Sequence, residues 1–313
     1  MVDTLPGRPV PATTPRASFS RAGSGPTSRP VTGMLFVAPT AVLVLVFFLM
    51  PLAVMLFMSF SDWPLLGSHH LDGLANYREV AHDSLFLHAI TFTLIYTAIT
   101  TVMIFGISFL LVAVSNSPRR GAVAYRTAFF LPYVVGTASA ALLWFADTND
   151  QVGVFNRLLL DLHIVSQPVG FLDTPTKALL TVVSLVIWKF IGFQVMVLLV
   201  GLRAIPDAVH EAARIDGAGT WQRLRYITLP YLKPTLALLL MLSISGSLLA
   251  FDQFYVLTSG GPNNSTITMV LALYNTAFSQ FKLGTAAAMS VILLISLVVL
   301  NAIQLRLLRS KDA

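Results

Sequence analysis

Two ionisable side chains sit inside stretches that otherwise carry no charge: Lys189, between about Ala178 and Leu202, and Asp252, between about Pro234 and Thr258. An ammonium or carboxylate in hydrocarbon is costly, so such groups face a partner or a water-filled cavity. At helical rise their depths differ by roughly 8 Å, much of which a lysine stem covers. The pattern predicts that the two pair or jointly line a polar path. The competing reading has Lys189 snorkelling outward and Asp252 at the wet end of its span. Other reactive types offer less. Cysteine is absent, which removes thiol chemistry and disulfides. His69, His70, His82, His88, His163 and His210 show no metal-ligand spacing with carboxylates, so no metal site is expected. No catalytic set of His, Asp or Glu gathers near an interface. The chain has no Gly-x-x-x-x-Gly-Lys-Ser/Thr loop and none of its lysines follows a glycine, so it is not expected to hydrolyse ATP or hold a cofactor.

The densest polar pattern lies between Gly201 and Pro230. Pro206 suits a first helical position, and Asp207 and Glu211 set negative charge toward the positive end of a short helix. Gly217, after Asp216, permits a positive φ and a change of direction. Trp221, Leu224 and Ile227 then recur at helical spacing, which predicts a second short helix ended by Pro230.

These residues must be carried by membrane helices. Of the 313 residues 56% are hydrophobic and 11% charged, against roughly 25% charged in soluble domains. Gaps between charges define six spans: about Met34–Phe60, His88–Val114, Ala122–Phe145, Ala178–Leu202, Pro234–Thr258 and Thr285–Leu308. Each is long enough to cross about 30 Å of hydrocarbon. The segments alternate too little for a barrel. Pro39, Pro51 and Pro132 interrupt spans and predict kinks, and Gly260-Gly261-Pro262-Asn263-Asn264 predicts a mobile or re-entrant loop.

With the N-terminus inside, fifteen of the twenty basic residues fall on the cytoplasmic side: Arg8, Arg16, Arg21, Arg29, Arg119, Arg120, Arg126, Arg203, Arg214, Arg223, Arg225, Lys233, Arg306, Arg309 and Lys311. Arg78, Arg157, Lys177 and Lys282 fall outside. The positive-inside rule therefore places both termini in the cytoplasm and accounts for the net charge of +6. Residues 1–33, rich in Pro, Ser, Thr, Gly and Arg, read as a disordered cytoplasmic tail. Residues 34–308 read as the membrane domain, with 203–233 as its structured cytoplasmic loop and 309–313 as a C-terminal tail.

The spacing Glu211-Ala212-Ala213, Gly217, Ile227, Thr228, Leu229-Pro230 resembles the signature loop, or EAA motif, of permease subunits in binding-protein-dependent ABC importers. Further patterns are similar to the carbohydrate branch, of maltose or glycerol-phosphate type. They include Gly73-Leu-Ala-Asn-Tyr77, Leu131-Pro132-Tyr133 with Trp144, Gly153 with Asn156, Trp188-Lys189, and Leu257-Thr258-Ser259-Gly260-Gly261-Pro262. The maltose-type relative has extra N-terminal spans and a large external domain, which this sequence lacks.

The resemblance implies an all-α membrane protein of the type I ABC importer permease fold, six transmembrane helices with a cytoplasmic coupling helix. It implies import of a sugar or sugar-like solute by alternating access across a bacterial or archaeal inner membrane. Partners would be a second homologous permease, an ABC ATPase dimer that binds ATP and Mg, an extracytoplasmic solute-binding protein, and membrane lipids, with no nucleic acid. Glu211 would anchor the ATPase, Ala212 and Ala213 permit close approach, and Asp216 and Gly217 form the turn. Carry-over places solute contacts at Lys189, Phe190, Phe193, Ser243 and Ser247, with Asp252 beside them. Close helix packing explains Ser243 and Ser247 equally well. An ion-coupled secondary transporter, a membrane enzyme and a non-transporting adaptor are the rivals.

Overall fold

The computed structural model describes residues 30–64, 66–115 and 122–308. The expected tail over 1–33 lies outside these residues up to position 29, and residues 30–33 already belong to a helix; the tail over 309–313 also lies outside them. So do Arg8, Arg16, Arg21, Arg29, Arg119, Arg120, Arg309 and Lys311 of the charge map.

The chain divides into two compact units, residues 1–52 and 53–313. In the first, α1 (Pro30–Val44) runs into a π-turn at Leu45–Leu49; α2 (Met50–Ser59) follows, with most of its residues in the second unit. The side chains from Met34 to Leu52 are exposed. The π-turn is local relief for Pro51: a wider turn separates the proline ring from the carbonyl a helical turn earlier.

Among the described residues of the second unit the strands are one two-residue pairing of β1 (Ser61–Asp62) with β2 (His70–Leu71), and the other regular elements are helices. Then follow α3 (Ala75–His82), α4 (Ser84–Ser115), α5 (Ala122–Val134), α6 (Thr137–Asp147), α7 (Val154–Asp161) and α8 (Pro175–Arg203). The remaining elements are α9 (Asp207–Ile215), α10 (Thr220–Arg223), α11 (Leu229–Leu248), α12 (Asp252–Leu257), α13 (Met269–Phe278) and α14 (Leu283–Leu308). Among the described residues five helices are long and apolar enough to span a bilayer. Counting α5 and α6 as one broken span makes six, the two halves meeting at 98°.

The centre of the unit is α8, whose most apolar stretch is 61% buried, whereas the Thr220–Leu248 stretch is only 11% buried. Val182, Val183, Leu185 and Val186 of α8 meet Phe92 and Tyr96 of α4, Ala140 and Ala141 of α6, and Phe254 and Leu257 of α12. Small residues set the approach. A Cβ at Gly192 would overlap the Phe129 carbonyl of α5, and one at Gly201 would lie 2.6 Å from Thr235 Oγ1 on α11.

Two expected boundaries are corrected. The fifth span ends at Leu248 and not Thr258, because residues 249–251 leave the helix and the freed Ala250 carbonyl accepts from Thr268 Oγ1 at 2.9 Å. Pro230 does not end a short helix either. A π-turn at Leu224–Thr228 absorbs it, and the helix begun at Thr220 continues through Pro230 and Pro234 to Leu248. Pro206 caps α9 from outside, leaving Asp207 in the first turn.

Several of the short patterns have structural work. Asn76, buried, donates through Nδ2 to the carbonyls of Ser59 at 3.1 Å and Ser61 at 2.9 Å and accepts from Thr285 Oγ1 at 3.3 Å. The Tyr77 and Ser59 hydroxyls bond at 2.8 Å. Glu79 extends this clasp, accepting from Lys282 Nζ at 2.6 Å and Thr285 Oγ1 at 2.9 Å. The Lys282 hydrogen bond holds the Glu79 carboxyl below its ordinary value, and Glu79 holds the Lys282 ammonium above its own. Likewise Asn156 exchanges bonds with the Val169 backbone at 2.8 and 3.1 Å, while a side chain at Gly153 would collide with the Asp147 and Asn149 carbonyls.

Candidate functional site

Where the broken third span and the end of α11 face α8, helical backbone is missing on two sides and a cavity of about 470 Å³ opens. Its wall takes Tyr96 from α4, Tyr133 and Thr137 from the α5–α6 break, and Phe190, Phe193 and Gln194 from α8. The other wall takes Ser243, Gly246 and Ser247 from α11, and Phe251, Asp252 and Gln253 around the second break. The volume suits a small organic solute.

The aromatic part is organised by the first break. Because α5 ends at Val134 and α6 starts only at Thr137, the carbonyls of Tyr133 and Val135 are left without helical donors. Lys189 Nζ supplies both, at 3.4 Å to the Tyr133 oxygen and closer to that of Val135. It also lies over the rings of Tyr133 and Phe190, at 5.9 and 5.3 Å from their centroids. Tyr133 stacks on Phe193 with centroids 4.7 Å apart and planes 14° apart, and meets Phe190 edge-on at 6.0 Å.

Polar groups complete the lining. Tyr96 Oη accepts from Gln253 Nε2 at 3.2 Å, and Thr100 and Ser247 share a hydroxyl bond at 3.1 Å. Ser243 Oγ donates to Gln194 Oε1 at 3.4 Å, while Gln194 Nε2 is buried without a partner. Asp252 is exposed and opens α12.

Of the six residues expected along a solute path, Phe190, Phe193, Ser243, Ser247 and Asp252 line this one cavity and Lys189 does not. The expected pairing of Lys189 with Asp252 is absent among the described residues, whose ion pairs are His70–Asp62 and Lys282–Glu79. Its physical basis fails on both sides: the broken third span takes the ammonium, and Asp252 lies beyond the apolar helix rather than inside it. Tyr96, Tyr133, Gln194, Gly246 and Gln253 were missed. The available signal was a neutral amide in an apolar run, which a search for charges passes over.

A second polar feature is the α9–α10 connection. Glu211, Ala212, Asp216 and Gly217 are exposed, and Ala213 is buried against its own chain. Ala213 therefore packs against its own chain and not outward. Gly217 has φ +74° and its N–H bonds the Arg214 carbonyl at 3.1 Å. Gln222 Oε1 accepts from the Gly219 N–H at 2.8 Å, capping the next helix. Around this turn Ile215, Trp221 and Tyr226 are 86%, 70% and 71% exposed. They flank a hollow of about 290 Å³ lined by Asp216, Gly217, Ala218, Gln222, Tyr226 and Ile227. Among the described residues no three His, Asp or Glu side chains converge as a metal site would require.

The family profile described as "binding-protein-dependent transport system inner membrane component" matches residues 110–312. The sn-glycerol-3-phosphate transport system permease protein UgpA of Agrobacterium fabrum is 34% identical over 88% of this chain and 94% of its own. The lactose transport system permease protein LacF of Rhizobium radiobacter is 31% identical over 94% of this chain and 97% of its own. A chain from the crystal structure of a bacterial ABC transporter involved in the import of the acidic polysaccharide alginate superposes with a TM-score of 0.79. That match covers 91% of this chain and 97% of the other at 23% identity.

Proposed function

The chain belongs to the family of binding-protein-dependent transport system inner membrane components, and from that premise we propose that it carries a sugar or sugar-like solute through the cavity beside α8. The observation that carries the reading is the composition of that cavity. Tyr133, Phe190 and Phe193 offer aromatic faces beside the hydroxyls of Ser243 and Ser247 and the free amide end of Gln194. Polyols have apolar C–H faces rimmed by hydroxyls, so a site for them needs both kinds of surface.

On this reading both termini are cytoplasmic, and the α9–α10 turn docks on a separate ATPase subunit that holds ATP and Mg. Glu211 anchors the contact and Gly217 sets its angle, while Ile215, Trp221 and Tyr226 supply apolar area. A second, homologous permease completes the pore, and a solute-binding protein delivers its load at the outer face. ATP-driven closure of the ATPases would move the turn as a lever and tilt the two helices it joins, α8 and the helix through α11. Those helices form two walls of the cavity, so the lever acts directly on the solute's surroundings.

The test has two arms. Detergent pull-down of the tagged chain, expressed with its full set of partners, should recover the ATPase, and Gly217→Pro should abolish uptake. Thermal-shift screening of the solute-binding protein against lactose, maltose, raffinose, sorbitol and glycerol 3-phosphate should pick out a saccharide or polyol. Recovery of no ATPase together with full uptake by Gly217→Pro would overturn the importer mechanism. Stabilisation by glycerol 3-phosphate alone would overturn the saccharide-or-polyol reading.

A further inference from the structure

Gln194 is 3% exposed, yet one end of its amide has no partner in the protein. Its other end is tied to Ser243 Oγ. Turning the amide over exchanges the two ends without changing this count: one end is held by a hydroxyl and the other faces the cavity unpaired. A buried amide left unpaired destabilises a fold, so its retention calls for a partner that comes and goes. Across the cavity, Gly246 lies three residues beyond Ser243 and so shares its helix face. A Cβ built there meets nothing within 4 Å, unlike those at Gly192 and Gly201, where the absent side chain admits a neighbouring helix. Packing therefore does not explain Gly246. The gap it leaves belongs to the cavity.

We propose that Gln194 and Gly246 set solute specificity: the free end of the Gln194 amide bonds one solute hydroxyl, and part of the solute ring occupies the space over Gly246. This rests on the sugar reading above and sharpens it, because a hydroxyl suits either end of the amide. A neutral ring of sugar size also fills a gap that excludes no apolar atom. Both substitutions that test it are favourable for the fold. Gln194→Leu keeps the shape and removes an unsatisfied polar group. Gly246→Leu replaces a poor helix former in open space.

The experiment is uptake into proteoliposomes by the full complex with its binding protein, using labelled sorbitol, lactose and raffinose, alongside the melting temperature of each complex. Gln194→Leu should lower kcat/KM for the transported probe about tenfold, equivalent to about 1.4 kcal/mol, with a melting temperature at or above the wild type. Gly246→Leu should lose raffinose and lactose before sorbitol, again without loss of stability. Unchanged uptake by Gln194→Leu, or a fall accompanied by a lower melting temperature in both variants, overturns the assignment while leaving the sugar reading in place. Failure of the wild-type complex to take up any of the three, or maltose, overturns both.

Discussion

Replacing glycine by alanine should have opposite signs at two positions of this chain. At Gly192 the new Cβ would lie 2.8 Å from Phe130 Cα and closer still to the Phe129 carbonyl, both backbone atoms of α5. No rotamer change relieves such a contact, so α5 must retreat. Overpacking of this kind costs about 1–3 kcal/mol. The gain in helix propensity returns about 0.5–1 kcal/mol. With an overlap this deep the cost sits at its upper end, so the net loss is about 2 kcal/mol, or about 4–8 °C in melting temperature. The same retreat draws Tyr133 off Phe193 and its carbonyl off Lys189 Nζ, so solute uptake should fall with stability. At Gly106, in the middle of α4, a Cβ meets nothing within 4 Å. There only the propensity gain remains, and Gly106→Ala should match or slightly exceed the wild type. Thermal unfolding of purified complex, followed by tryptophan fluorescence because Trp144 and Trp188 lie 4.9 Å apart near the break, reads both variants. A shift of the two in the same direction, or wild-type stability for Gly192→Ala, would refute close backbone approach as the reason for that glycine.

Asn76→Ala should destabilise by about 2–3 kcal/mol through its lost hydrogen bonds. Asn76→Asp should do worse, since a carboxylate oxygen would face the Ser59 and Ser61 carbonyls; a wild-type melting temperature for the aspartate variant would exclude the donor role. The Glu79 carboxyl is lowered in the folded chain, so its contribution is complete above its ordinary value of 4.5 and is lost as pH falls through the lowered one. Glu79→Gln should therefore lower stability at neutral pH, by under about 1 kcal/mol for so exposed a pair, and should converge with the wild type in acid. A difference that persists unchanged in acid would reverse the argument. Lys189→Met should impair uptake by freeing the Tyr133 and Val135 carbonyls, and combining Lys189→Asp with Asp252→Lys should rescue nothing. Recovery of uptake in the exchanged variant would restore a functional pairing of the two charges.

What the sequence conveyed about these elements depended on how local their causes are. The six apolar runs follow from composition alone, and the positive φ at Gly217 from the only residue there that adopts it without strain. The end of the fifth span was hidden. Apolar residues continue through Leu249, Ala250 and Phe251 into Phe254 and Leu257, while the break depends on Thr268, eighteen residues further on. Prolines were equally ambiguous for a physical reason. Pro132 stays inside α5 and its span breaks only after it, at residues 135–136, with a bend of 98°, while Pro51 and Pro230 sit two residues past π-turns that leave their helices continuous. None of the three prolines ends its own helix, and the broken span owes its break to the carbonyls beyond Pro132 finding a donor outside the helix. At the 135–136 break an ammonium from α8 satisfies the Tyr133 and Val135 carbonyls, and the break can persist because it is capped. That connects Lys189 to the cavity without placing it in the lining. The residue bonds the carbonyls at the bend that brings Tyr133 to the cavity, so the partner of its charge is a pair of backbone oxygens and not Asp252. Gln194 was the inverse, a side chain in direct contact with the cavity whose neutrality made it inconspicuous. In an apolar span, a buried amide demands a hydrogen-bonding partner as a charge demands a counter-ion. Asking what satisfies each one would have led from Gln194 to Ser243 and then to the gap at Gly246.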